Sequence, residues 1–136
     1  MRHSLCTFIA IRRLDMATKK TLVLGASDNP SRYSYLAITR LQAHQHPVIA
    51  VGKRQTAVNG TQIHKDHIPE EGVDTVTLYL NPKNQVEYYD YILSLKPKRI
   101  IFNPGTENDD LVRMAKDNGI EPVMACTLVM LGTGQY

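Results

Sequence analysis

Thr21-Leu22-Val23-Leu24-Gly25-Ala26-Ser27-Asp28-Asn29-Pro30-Ser31-Arg32-Tyr33-Ser34-Tyr35-Leu36 is an apolar run, one glycine, a polar turn and the start of a helical pattern. A continuous apolar run of this length reads as a strand buried on both faces, as in a parallel sheet covered by helices. Gly25 ends the run where the backbone must turn sharply, and Pro30 suits the first turn of the following helix. The free N–H groups and partial positive charge of a helix N-terminus suit a phosphate, with Arg32, Ser27 and Ser31 able to add to it. A plain strand–helix turn capped by Ser or Asn accounts for the same residues. The further glycines of a dinucleotide fingerprint are missing.

Working outward, the same alternation repeats. Apolar runs at Thr21–Gly25, Val48–Val51, Thr75–Leu80, Arg99–Phe102 and Pro122–Ala125 predict strands. Between them, Tyr35, Leu36, Ile38, Leu41 and Gln45 predict a helix stopped by His46-Pro47. Val86, Tyr89, Ile92 and Leu93 predict another, stopped at Lys96-Pro97. Leu111, Val112, Met114 and Ala115 predict a third, ended by Asn118-Gly119. Strand–helix alternation with right-handed crossovers predicts an α/β fold. The expected form is a Rossmann-like, doubly wound, five-stranded parallel sheet, ordered 3-2-1-4-5, with helices on both faces. The link from Gln55 to Asp74 is irregular. Within it Val58-Asn59-Gly60-Thr61 reads as a tight turn between two short extended pieces, and Ile68–Glu71 as one helical turn.

With 136 residues and 43% hydrophobic content, the chain suits one globular domain and is short for a second, catalytic one. The formal charge of +3 suits a small polyanion and falls short of a nucleic-acid binder's basic patches. Cys6 and Cys126 make no disulfide framework, so a reducing cytoplasm is the expected location. Residues 1–17 read as a leader outside the fold, with the domain over 18–136. The apolar stretch Leu5–Ile11 is far too short to span a bilayer, and no membrane segment is expected elsewhere.

In open parallel sheets, ligands bind beyond the carboxyl ends of the strands, so the residues there are read together. The first set is Gly25, Ala26, Ser27, Asn29, Pro30 and Arg32. The second is Gly52-Lys53-Arg54, where an NAD site would carry an acid for the ribose diol. Two cations there suit a phosphorylated ribose, as in NADP or coenzyme A, or else form a solvated basic turn. The third is Asn81-Pro82 after Leu80, with Asn84 beyond: an apolar surface for an adenine or a pantetheine arm, or a bare turn. The fourth is Asn103, Gly105, Thr106 and Glu107; the Thr106–Asp109 spacing also matches a helix-capping box.

The segments Gly25–Arg32, Val51–Arg54, Leu80–Pro82 and Asn103–Asn108, followed by Cys126 after the last strand, resemble the small single-domain CoA-binding protein family. That family is similar in turn to the N-terminal CoA-binding domain of the succinyl-CoA synthetase alpha subunit. The resemblance runs from about Thr21 to Met130. It implies a first loop wrapping the nucleotide phosphates, Lys53 meeting CoA phosphates, Leu80–Pro82 on the adenine side and Asn103–Glu107 on the pantetheine side. It departs from the family at the extra Pro104 and at Thr127, where many relatives place a proline. The ligase reaction of the synthetase does not carry over, because its phosphorylated histidine lies in a further domain.

No other chemistry assembles. The histidines read as solvated and no metal site is expected. No nucleophile elbow, Walker loop or zinc-protease motif occurs. Tyr88, Tyr89 and Tyr91 read as packing residues. Cys126 reads as a core thiol or as a neighbour of a bound CoA thiol. The function expected is a module binding CoA or an acyl-CoA, without its own catalytic machinery. Its partners are a small nucleotide ligand and an unidentified protein, with no nucleic acid and no membrane. An NADP-binding oxidoreductase-type domain is the alternative, and a pure interaction domain a third reading.

Overall fold

The computed structural model describes residues 18–136; the leader expected over 1–17, with Cys6, lies outside the described residues. In chain order the elements are β1 (Thr21–Ala26), α1 (Tyr33–Ala43), β2 (Val48–Gly52), β3 (Thr56–Val58), β4 (Thr61–His64) and β5 (Thr75–Leu78). Then follow α2 (Pro82–Gln85), a 3-10 turn over Val86–Tyr88, α3 (Tyr89–Leu95), β6 (Arg99–Phe102), α4 (Asp109–Asp117), β7 (Glu121–Met124) and α5 (Thr127–Gly132).

The α/β class and the mostly parallel sheet hold, but the strand count and order do not match the expectation. The sheet has seven strands in the order β3-β4-β2-β1-β5-β6-β7. The third expected strand, β5, pairs with β1 instead of lying beyond β2. The place beyond β2 is taken by β4, which pairs with it in parallel through Ala50–Ile63 and Val51–His64. The cause is the hairpin whose turn the sequence carried: Asn59 (φ 48°) and Gly60 (φ 84°) both adopt the left-handed conformation of a two-residue turn. The pieces on either side are long enough to become strands, with Thr56–Ile63 and Val58–Thr61 paired antiparallel. The helical turn expected at Ile68–Glu71 does not form. That segment is held as an irregular strap, with Tyr91 Oη donating to Ile68 O (2.7 Å) and Lys20 Nζ donating to Glu71 O and Glu70 Oε1.

Side chains alternate along each strand, so β1 feeds two cores. Leu22 and Leu24 pack with Val76, Leu78, Ile100 and Phe102 under α3 and α4, which contribute Ile92, Leu95, Leu111 and Ala115. Val23 and Ala26 pack with Ala50 and Ile63 on the other face, under Ile38 and Leu41 of α1 and Leu131 of α5. Each fully buried Leu or Ile contributes roughly 1.5–3 kcal/mol. Truncating Leu24, which is wholly buried, to Ala is expected to cost about 2–5 kcal/mol. Toward the two edges burial on both faces lapses: β7 leaves Glu121 and Met124 exposed, and β3 and β4 leave Ala57 and Gln62 exposed.

Two of the expected stops act as read: Lys96 turns left-handed (φ 49°) before Pro97, and Gly119 (φ 70°) follows α4. The first helix ends earlier than expected, at Ala43, and Gln45 (φ 66°) lies past its end. The expected starts do not hold. α1 begins at Tyr33, so Pro30 lies in the preceding turn. At α4 the cap is Asn108, whose Oδ1 accepts from the N–H groups of Asp110 and Leu111. Thr106 instead donates to Asn103 O (2.7 Å).

Candidate functional site

The carboxyl ends of β1, β2, β5 and β6 meet around a groove of about 660 Å³, within the roughly 300–1,000 Å³ of small-molecule sites. Two glycines permit the convergence. Gly25 (φ 91°) breaks the β1 register, and a Cβ there would lie 2.9 Å from Leu80 Cγ and from the Tyr79 carbonyl carbon. At Gly52 a Cβ would stand 2.2 Å from Ala26 O. The first loop is therefore pressed against β2 on one side and the β5 exit on the other.

The loop braces itself. Ser27 Oγ accepts from Asn29 N (3.1 Å), and Asn29 Oδ1 accepts from Ser31 N and Oγ (3.0 and 2.8 Å). Arg32 occupies the cap position of α1 without a side-chain hydrogen bond, and the first turn holds no acid. The positive pole of α1 is thus left for an anion, and Tyr33 and Ser34 from that turn line the groove. Tyr33 is 72% exposed.

The basic strand end divides. Lys53 is exposed and makes no ion pair among the described residues. Arg54 Nη2 donates to both carboxylate oxygens of Asp28 (3.2 and 3.0 Å), while Thr56 Oγ1 donates to Asp28 Oδ2 (3.0 Å). The Thr56 bond and the Arg54 charge together hold the Asp28 carboxyl below its ordinary value, against the opposing effect of desolvation.

Beneath the groove lies a layer of buried amides. Asn103 Nδ2 donates to Thr77 Oγ1 (2.7 Å) and Leu78 O (2.8 Å), and its Oδ1 accepts from Thr127 N (2.8 Å). Gln85, wholly buried, donates to Leu80 O and Thr106 O, both at 2.8 Å. Asn108 Nδ2 donates to Gln85 Oε1 (2.9 Å) and Tyr89 Oη (2.8 Å). The loops after β5 and β6 are therefore tied together from below. Burial pushes the Tyr79 hydroxyl up to about 12. Among the described residues it has no hydrogen-bond partner; the hydroxyls of Thr77 and Thr127, which bond each other (2.8 Å), lie beside it and oppose the shift.

Of the residues expected at the site, the groove is lined by Gly25, Ala26, Ser27, Asn29, Arg32, Gly52, Lys53, Arg54, Asn81, Gly105 and Thr106. Five others lie elsewhere. Pro30 is in the exposed turn, and Pro82 is the first residue of α2. Asn103 is beneath the groove, and exposed Glu107 accepts from Gly105 N (2.8 Å). Cys126 is half-buried at the cap position of α5, not in the lining. The lining also includes Asp28, Tyr33, Thr56, Tyr79, Glu87 and Tyr88. Asp28 and Tyr33 sit inside the decisive stretch, and Thr56 opens the hairpin. Gln85 carries no local signal, because its role depends on two distant carbonyls.

The histidines are not all solvated, contrary to the expectation. His46 is buried; His67 is exposed, as expected, with its ring 4.6 and 5.0 Å from those of Tyr88 and Tyr91. Tyr88 and Tyr91 pack in the core. Among the described residues no cluster of His, Cys, Asp and Glu could hold a metal. No helix there is long and apolar enough to cross a membrane.

A solved crystal structure described as an uncharacterized protein is 56% identical, with a TM-score of 0.85, covering 88% of this chain and 98% of that one. A hypothetical protein from Pyrococcus horikoshii OT3 is 25% identical (TM-score 0.77, covering 91% and 89%). A Thermus thermophilus protein shares the fold at 21% identity (TM-score 0.78, covering 93% and 97%). Comparison with curated proteins returns no match. Residues 19–132 match the family described as a CoA binding domain. Since that match spans every strand of the sheet, the chain belongs to the CoA binding domain family.

Proposed function

We propose that the carboxyl-edge groove holds coenzyme A or an acyl-CoA, and that the chain carries or presents it without bond-making machinery of its own. The observation that carries this reading is an uncapped α1 pole beside Lys53, which has no ion pair among the described residues, in a groove where Gly25 and Gly52 leave no room for a Cβ, in a chain of a CoA-binding family. Anions bind at such poles because N–H groups and the helix dipole act together. The loop Gly25–Arg32 meets the diphosphate, and Lys53 the ribose phosphate. Leu80 and Asn81 form the adenine side, and Gly105 and Thr106 the pantetheine side. These residues fit the group: the glycines admit backbone close to phosphate, and the cations match its charge.

Calorimetric titration with CoA, dephospho-CoA, NADP and NAD tests the reading. CoA is expected to bind tightest, ahead of dephospho-CoA by about one to two decades, the worth of one charge-assisted bond to phosphate. Mass spectrometry of the natively purified protein is expected to find CoA or an acyl-CoA retained. Tighter binding of NADP than of CoA would move the assignment to an oxidoreductase-type domain.

A further inference from the structure

Of the three cations lining the groove, Arg32, Lys53 and Arg54, only Arg54 is engaged by a carboxylate among the described residues. That carboxylate, Asp28, belongs to the loop that faces the ligand phosphates in the reading above, an awkward place for a negative charge. We propose that Asp28 is a specificity-determining residue: it restrains Arg54 and opposes the ribose phosphate, so that discrimination for that phosphate falls mainly to Lys53. The inference rests on the groove being the CoA site.

The contact joins two separate segments of the groove wall. Arg54 reaches Asp28 through Nη2 alone, which bridges both carboxylate oxygens, and Thr56 holds one of those oxygens from the neighbouring strand. A guanidinium carries five donors, so those on Nε and Nη1 remain for a second anion. A phosphate binding there sits beside the Asp28 carboxylate; a phosphate that takes Nη2 as well must first displace it. Both routes weaken the phosphate's gain. The Thr56 bond helps to orient the carboxylate, which is charged at neutral pH as an ordinary Asp is.

The contact is also weak enough to yield. The Arg54 side chain is 73% exposed and that of Asp28 34%, and exposed ion pairs contribute little and are screened by salt. A phosphate competes for the same donors with up to two negative charges and three acceptor oxygens. Asp28 therefore tempers affinity and does not block binding. The effect is graded: it falls most heavily on ligands whose ribose carries a phosphate, because Arg54 is the donor that Asp28 restrains.

The test titrates wild type, Asp28→Asn, Asp28→Ser and Thr56→Val with CoA and dephospho-CoA at low salt, with a thermal melt of each variant. Asp28→Asn and Asp28→Ser are expected to bind CoA about two- to fivefold more tightly and dephospho-CoA with a smaller gain, widening the ratio. The gain shrinks at high salt. Thr56→Val, which keeps the charge but loosens the carboxylate, widens the ratio less than either Asp28 variant does. An Asp28 variant that weakens CoA, or shifts both ligands equally, overturns the inference while leaving CoA at the site. Equal widening by Thr56→Val overturns it too, since the charge is then not the cause. A wild-type protein that binds neither ligand removes the site reading itself, and this inference with it.

Discussion

The two edges of the sheet use similar residues to opposite ends. At the amino edge Arg99 is folded into the structure. Its guanidinium lies 4.5 Å from the Tyr136 ring centroid, Nε donates to Thr75 Oγ1 (2.8 Å) and Nη2 to Tyr136 O (3.3 Å). Tyr136 also shares a hydrogen bond with Thr21, and its ring packs 4.8 Å from that of His46, whose Nδ1 accepts from Lys19 N (2.9 Å). At the carboxyl edge Lys53 and Arg32 make no ion pair among the described residues, and the pole of α1 is uncapped. A cation with protein partners contributes to folding; a cation without them is available to a ligand. Substitutions at one edge should therefore move stability, and at the other affinity.

The largest expected effect strikes the carboxyl edge where it is structural. Gly52→Ala drives a Cβ into Ala26 O, and overpacking of this kind costs about 1–3 kcal/mol or more. Thermal melts should show a fall of roughly 10 °C. Gly60→Ala is the control: its Cβ meets nothing within 4 Å, although its φ of 84° still strains an alanine. A Gly52→Ala protein as stable as wild type would show that the loop is not pressed on β2.

The next contrast sets Lys53→Ala against Arg99→Ala. Lys53→Ala should remove most of the one- to two-decade preference for CoA over dephospho-CoA and leave the melting temperature in place. Arg99→Ala should do the reverse, lowering the melting temperature by about 5 °C through the loss of its hydrogen bonds with unchanged CoA affinity. An affinity loss in Arg99→Ala comparable to that in Lys53→Ala would erase the division between the edges.

Tyr79→Phe is expected to raise stability by about 1 kcal/mol, because it deletes a buried hydroxyl that lacks a partner among the described residues. A lower melting temperature would mean that the hydroxyl is satisfied after all.

The smallest effect is pH-dependent and belongs to the amino edge. Burial lowers the His46 pKa, helped by the charges of Lys19, His44 and Arg99 and opposed by Asp74. Protonation also removes the acceptor that holds Lys19 N. The folded protein therefore binds fewer protons at this site than the unfolded chain. Its contribution to stability is complete above the ordinary histidine value of about 6.5 and is lost as pH falls through the lowered one. Melts from pH 8 to pH 5 should show the decline, and His46→Gln should flatten it; a variant with the wild-type slope would place the titration elsewhere.

Much of the carboxyl edge was legible before any coordinates, and little of the amino edge was. Gly25, the apolar runs and the stops at Lys96-Pro97 and Asn118-Gly119 are local signals, each set by the conformations a few neighbouring residues allow. Together with the resemblance, they determined an α/β fold with a mostly parallel sheet, the CoA-binding family, and four loops at one edge. Other features depended on contacts between residues far apart in the chain, which local chemistry does not choose. The Asn59-Gly60 turn was visible, but whether its flanks became strands, and so the sheet order, depended on β4 finding β2. The sequence placed Arg54 among the phosphate-binding residues, while the fold pairs it with Asp28, 26 positions away. Asn103 became a buried staple to Thr127, 24 positions on, and Tyr136 reached Thr21 across 115. Such pairings are settled only when competing long-range contacts are weighed in the packed molecule, where each polar group left unpaired by burial carries a penalty.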